Sequence, residues 1–245
     1  MANHGKNAKI YWNGMRGDRF LNNMDTAATI DTAETTVFDS SGRKSFIPGN
    51  IDASISAQGL FQGATSESDY FFNNLIAATT PAVVNIFPNN DTLGNFGFGQ
   101  QVDLTSKSLE MPVDGVVSLS VDAQVTAGRM NVESLRALAA ANSTGTLSAT
   151  TLAGTADDNT SGTTQGGIGW MQRTDFLTAD VAVTIQDSCN NSTWNTLLSF
   201  TSGTSRSGQR AVASNSSIRR YTRSNIVIDG NTSQTAQVFV GFTRN

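Results

Sequence analysis

The stretch TAETTVFDSSGRKSFIPGNIDASISAQG, residues 32–59, decides how this chain is read. Its second half alternates without a break: Ile51, Ala53, Ile55 and Ala57 fall on one side, and Asn50, Asp52, Ser54 and Ser56 on the other. A period of two places successive side chains on opposite faces of a strand, so 46–57 is expected to be a half-buried β-strand. Ahead of it, residues 26–40 (TAATIDTAETTVFDS) are rich in Thr and Val, with Ile30, Val37 and Phe38 as apolar anchors. They are expected to be extended as well. SSGRK, 40–44, is a small polar and charged insertion between the two extended runs.

Outward from this stretch the same character continues. A polar arm, 2–9, leads into Ile10, Trp12 and Met15 on one face of a first strand. Residues 66–79 (SESDYFFNNLIAAT) carry the one helical signal. Ser66 or Ser68 is the expected N-cap, Glu67 and Asp69 suit the first turn, and Phe71, Phe72, Leu75 and Ile76 make one face to pack on a sheet. VVNIFP, 83–88, returns to strand, and NNDTLGNFGFGQQ, 89–101, reads as a turn-rich connection. Its GNFGFG lacks a following helix or Lys-Ser/Thr pair, so it reads as turn and not as a phosphate loop. Residues 102–111 and 116–128 are expected to be long alternating strands joined by PVDG. NVESLRALAAAN, 131–142, could hold a helical turn or two.

Apolar residues make up 38% of the 245 and charged residues 15%, with 22 Gly, four Pro and thirteen Phe, which favours a folded chain of strands and turns. Residues 1–145 hold nine Lys and Arg against fourteen Asp and Glu. Residues 146–245 hold seven Arg, six Asp, and neither Lys nor Glu. That shift predicts two domains, 1–140 and 141–245, with the boundary between about 137 and 147. Strand candidates at GIGWMQRTDF, VAVTIQDS, NTLLSF, QRAVAS, RRYTRSNIVI and AQVFVGFTR predict a second β-sandwich of roughly a hundred residues. The N-terminus lacks the apolar core of a signal peptide, and no apolar run reaches the ~20 residues that span a bilayer.

Chemistry is sparse. One His and one Cys exclude a His/Cys metal cluster and a disulfide framework. His4 lies in the polar arm, and Cys189 is expected to be a small buried or half-buried side chain. Asp157 and Asp158 sit in a Gly/Ser/Thr loop where a Ca²⁺ ion could bind, though two such acids are usually solvated. Arg219, Arg220 and Arg223 alternate around Tyr221 and read as a solvated or interface strand face. Neither a catalytic set nor a cofactor is expected, and the chain is not expected to be an enzyme.

The residues around 32–59 resemble the tail-tube (major tail) proteins of long-tailed bacteriophages. The likeness is carried by Glu34, Thr35, Thr36, Phe38 and Asp39, then Phe46, Ile47, Pro48, Gly49, Asp52, Ser54, Ile55, Ser56 and Gly59. In the same order follow the helix near 66–79, Phe87-Pro88, LGN at 93–95 and the strand pair 102–126, so the resemblance spans about 8–130. Residues 154–174, 183–200 and 208–224 more loosely resemble a C-terminal β-domain appended to some phage virion proteins.

The resemblance implies a mainly β fold: a tail-tube-type sandwich or barrel with one packing helix, and a second C-terminal sandwich as decoration. It implies hexameric rings stacked into a tube in the virion tail, assembled in the host cytoplasm, through which DNA passes without specific binding. Partners would be further copies and other tail proteins such as the tape measure and terminator, with no membrane. The loop Asp39, Ser40, Ser41, Gly42, Arg43, Lys44, Ser45 and Phe46 would contact the neighbouring ring. Asp103, Glu110, Asp114 and Asp122, on or beside the 102–126 hairpin, are candidate lumen-facing acids. The alternative is a glycan-binding, host-adhesion or decoration protein, with Trp170, Trp194 or Tyr221 as stacking platforms unless these rings are core.

Overall fold

The computed structural model describes residues 5–35, 44–63, 67–143, 150–174, 180–228 and 234–245. The chain is mainly β, as expected, with one α-helix among the described residues. In order the elements are β1 (Lys9–Trp12), β2 (Met15–Arg16), β3 (Leu21–Glu34), β4 (Phe46–Leu60), α1 (Ser68–Ile76), β5 (Ala82–Phe87), β6 (Phe96–Glu110) and β7 (Ser118–Ser143). There follow β8 (Thr150–Ala153), β9 (Asp157–Asp158), β10 (Gly166–Arg173), β11 (Val181–Ser188), β12 (Asn195–Ser199), β13 (Ser207–Ser214), β14 (Tyr221–Ile228) and β15 (Gln234–Arg244).

Two compact units result. One comprises residues 1–19, 82–100 and 130–245, the other 20–81 and 101–129. The expected division at 140 runs elsewhere, because residues on both sides of it share the first unit's core. Its apolar clusters join Tyr11, Val83, Phe87 and Val132 to Ile168, Trp170 and Phe239. Tyr11 stacks on Phe239 at 5.1 Å, and its hydroxyl donates to Asp91 at 2.6 Å. The Gln172 side chain accepts from Gly14 N and donates to Val83 O and Asn85 Oδ1. Composition changes near residue 146, yet a core forms wherever apolar faces can meet, and strands from both segments supply them.

In this unit β13, β10, β15 and β7 lie side by side, as do β12, β11, β14 and β8, with β9 also on β14. The alternate residues Val181, Val183 and Ile185 of β11 are buried with Ile226 and Ile228 of β14 against Met171, Val238, Val240 and Leu135 from the other strands. This is the sandwich anticipated for the C-terminal half, completed by β7. NVESLRALAAAN continues β7 and forms no helical turn. Its helix formers are overridden because residues 133–143 pair with Gln234–Phe242 of β15 and Val132 and Leu135 are buried. Residues 96–101 also differ from the turn expected there. They begin β6, and their glycines serve close packing: a Cβ on Gly97 would sit 2.4 Å from Ile86 O, and on Gly99 2.6 Å from Val132.

The second unit is built on β3, β4, residues 118–129 of β7 and residues 101–110 of β6. β3 pairs with β4 from Leu21↔Gly59 to Glu34↔Phe46, and β4 pairs with β7 from Ser54↔Gln124 to Leu60↔Ser118. The alternation expected for β4 holds from Asp52 onward, where Ala53, Ile55, Ala57 and Gly59 are buried and Asp52, Ser54, Ser56 and Gln58 exposed, whereas Ile51, expected on the buried side, is exposed. Leu119, Val121 and Ala123 of β7 are buried with them. α1 supplies Phe72, fully buried and edge-on to Phe20 at 6.1 Å. Asp69 and Asn73 of the helix accept from Lys107 of β6. The helix is shorter than expected, and its N-cap is Glu67. Ser68 lies inside the first turn, where its hydroxyl accepts from Gln62 N and donates to Leu60 O. Ser66 lies outside the described residues.

Candidate functional site

The surface that stands out is the exposed face of the second unit's sheet. Directly opposed residues share a face, so Asn23, Asp25, Ala27 and Thr29 of β3 line up with Gln58, Ser56, Ser54 and Asp52 of β4. Ser120, Asp122 and Gln124 of β7 stand beside Gln58, Ser56 and Ser54. The result is a flat polar field with three carboxylates, Asp25, Asp52 and Asp122. The segments 21–34, 46–60 and 118–127 contain neither Lys nor Arg. Lys107 of β6 is turned to α1, with 9% of its side chain exposed.

Hydrogen bonds order this field. Asp122 accepts from the Ser106 and Ser56 hydroxyls, each at 2.7 Å, and these bonds hold its carboxyl below the usual carboxylate range. Gln124 donates to the Asp52 carboxylate and to Ala53 O. Asp122 is therefore held in its ionised form on the sheet face. Such a surface repels polyanions and presents no cation to grip a phosphate.

Of the four acids singled out from the sequence, Asp122 lies in this field. Asp103 is exposed on β6, while Glu110 ends β6 and Asp114 lies in the turn beyond it. Asp25 and Asp52 were not singled out. The alternation of 50–57 already put Asp52 on the polar face, and only the β3–β4 register brings Asp25 beside Ser56.

The edge of the sheet is open. Among the described residues β3 pairs with β4 alone, and from Ala27 to Glu34 it is exposed on both faces. The β3–β4 ribbon ends in exposed apolar residues, Ile30, Phe46, Ile47 and Ile51. In the loop expected to contact a neighbouring ring, Asp39, Ser40, Ser41, Gly42 and Arg43 lie outside the described residues. Lys44, Ser45 and Phe46 are exposed, and Lys44 forms an ion pair with Glu34 at 3.1 Å.

The first unit holds the remaining candidate chemistry. Trp170 is fully buried and so cannot serve as a stacking platform. Arg223 lies 4.0 Å over the Trp194 ring, and Arg220 4.9 Å over Tyr221, so a guanidinium already covers one face of each. The arginine run is engaged internally: Arg219 pairs with Asp187, Arg220 with Asp158, and Arg223 donates to Gln186. The Arg220 guanidinium and Thr160 N–H hold Asp158 down at about 2. Cys189 is exposed, contrary to expectation, in the bend between β11 and β12. A cleft of about 420 Å³ is lined by Phe96, Met130, Glu133, Asn159, Phe242 and Arg244, among others. Burial, then the neighbouring Asp157 carboxylate, pushes Glu133 up to about 7. No group of three potential metal-ligating side chains occurs among the described residues.

No family model matches this chain, and no curated protein sequence does. Solved structures do match. The chain is similar to a protein in the virion of a native gene transfer agent particle, at 16% identity and a TM-score of 0.45, over 53% of this chain and 98% of that one. It is similar to the SPP1 tail tube at 13% identity and a TM-score of 0.40, over 53% and 78%. It is also similar to SPP1 Dit, a protein described as a paradigm of the hub adsorption apparatus in phages infecting Gram-positive hosts. That match has 8% identity and a TM-score of 0.35, over 97% and 99%. The matches to phage tail-tube structures thus cover about half of the chain.

Proposed function

We propose that this chain is the structural subunit of a phage tail tube, closing with copies of itself into rings that stack around a channel for DNA. The observation that carries this reading is the open edge of β3. Fourteen residues of strand end the sheet with no strand partner beyond them among the described residues. Long free edges are usually shortened, charged or covered, because they pair with whatever strand they meet. In a ring each free edge is taken up by the next subunit, and no edge is left over.

Ring closure through this edge gives the polar field of Asp25, Asp52 and Asp122 a purpose. It becomes part of the inner wall, where like charge lets DNA pass without being held. Six copies per ring is the number implied by the sequence resemblance. The subunit is assigned to the virion, with other tail proteins at the tube's ends and interior, and it is assigned no catalytic role.

Hydrogen–deuterium exchange on the full-length protein tests the edge directly. In dilute monomer the outward amides of Leu21–Glu34 should exchange quickly, and in the assembled fraction they should be protected. Equal exchange in both fractions would place the subunit contact elsewhere.

A further inference from the structure

Among the exposed apolar side chains of the second unit, two groups lie at opposite ends of its sheet. At one end are Ile30 (54% exposed), Phe46 (52%), Ile47 (57%) and Ile51 (71%). At the other, around the β6–β7 turn, are Met111 (72%), Val113 (101%) and Val116 (72%). Strand pairing fixes the separation. Leu60, the last residue of β4, lies beside Ser118, and Phe61 N donates to Val117 O, so the turn sits at the Leu60 end. Phe46 begins the same fifteen-residue strand, roughly 45 Å away at about 3.3 Å per residue.

The two ends also differ in charge. Residues 108–117 carry Glu110 and Asp114 and no cation. The other end presents Lys44, with 68% of its side chain exposed and paired with an exposed Glu34. Exposed pairs of this kind hold their partners weakly, so Lys44 is readily shared with a second acid.

We propose that these ends meet head to tail between copies, with Phe46, Ile47 and Ile51 of one chain seated on Met111, Val113 and Val116 of another. Lys44 then lies beside Glu110 and Asp114 of that second chain. A symmetric dimer through either end would leave the other end of both copies bare. A head-to-tail contact covers both ends of every copy and repeats without limit. This rests on the tube reading, in which it is the contact between successive rings. Glu110 and Asp114 thereby belong to the junction and not to the channel wall.

The test uses full-length protein carrying Phe46→Asp or Val113→Asp, both at exposed positions where circular dichroism should show the fold unchanged. By negative-stain microscopy each variant alone should form rings without tubes, and their mixture should form pairs of rings, because each blocks the end the other leaves open. Lys44→Glu should shorten tubes several-fold, and adding Asp114→Lys should restore them. Tubes of wild-type length from Phe46→Asp or Val113→Asp would overturn the contact, as would tubes unaffected by Lys44→Glu. If the wild type forms chains of subunits without rings, and both Asp variants abolish them, the contact stands while the ring reading fails. A wild type that stays monomeric overturns both.

Discussion

Two carboxyls, Glu133 and Asp122, show how environment sets the use of an acid. Burial and the neighbouring Asp157 raise Glu133 to about 7, so the folded chain holds that proton more tightly than the unfolded chain does. A raised carboxyl contributes stability that is full below the unfolded value, near 4.5, and is lost as pH rises through about 7. Glu133→Gln should therefore change the melting temperature little at pH 4 and raise it at pH 8, flattening the profile. A wild-type profile as flat as the variant's would contradict this. Asp122 is the reverse case, held ionised by Ser106 and Ser56. Replacing Asp25, Asp52 and Asp122 together by Lys should produce salt-sensitive retardation of DNA in a gel, absent from the wild type. At this scale sequence was a partial guide. The period-two pattern marks Asp52 as exposed, whereas Glu133 and Asp25 owe their surroundings to strand register and packing that no local pattern records.

Strands and the helix were legible where one face is apolar and the other polar. β4 follows its alternation from Asp52 to Gly59 but leaves Ile51 exposed, and α1 appears where Phe71, Phe72 and Leu75 recur, although Ile76 stays 47% exposed. Elements set by contacts from afar were not legible. β7 runs on to Ser143 through a helix-favouring sequence because β15 supplies its partner, and β6 starts at Phe96 because its glycines let neighbouring strands close in. Phe72 is the side chain that fastens α1 to its sheet. Phe72→Ala should cost about 3–5 kcal/mol, read by denaturant unfolding, since a large aromatic leaves a cavity that the strands cannot refill. A cost below ~1 kcal/mol would mean that the helix is dispensable to the second unit.

For the whole molecule, composition pointed to two parts, and there are two compact units, but the dividing line follows packing and not chain order. Residues 1–19 and 82–100 complete the core to which the C-terminal strands belong. The second unit concentrates the features on which the proposal rests: a fourteen-residue strand edge with no further strand partner among the described residues, an acidic sheet face, and exposed apolar residues at both ends. On the proposed reading each of these features is taken up by a neighbouring copy. Electron microscopy of the purified full-length protein across a range of concentrations tests this most directly. Rings or tubes with an open central channel are expected. A protein that remains monomeric at the highest concentration, with no ring in any field, would contradict the account.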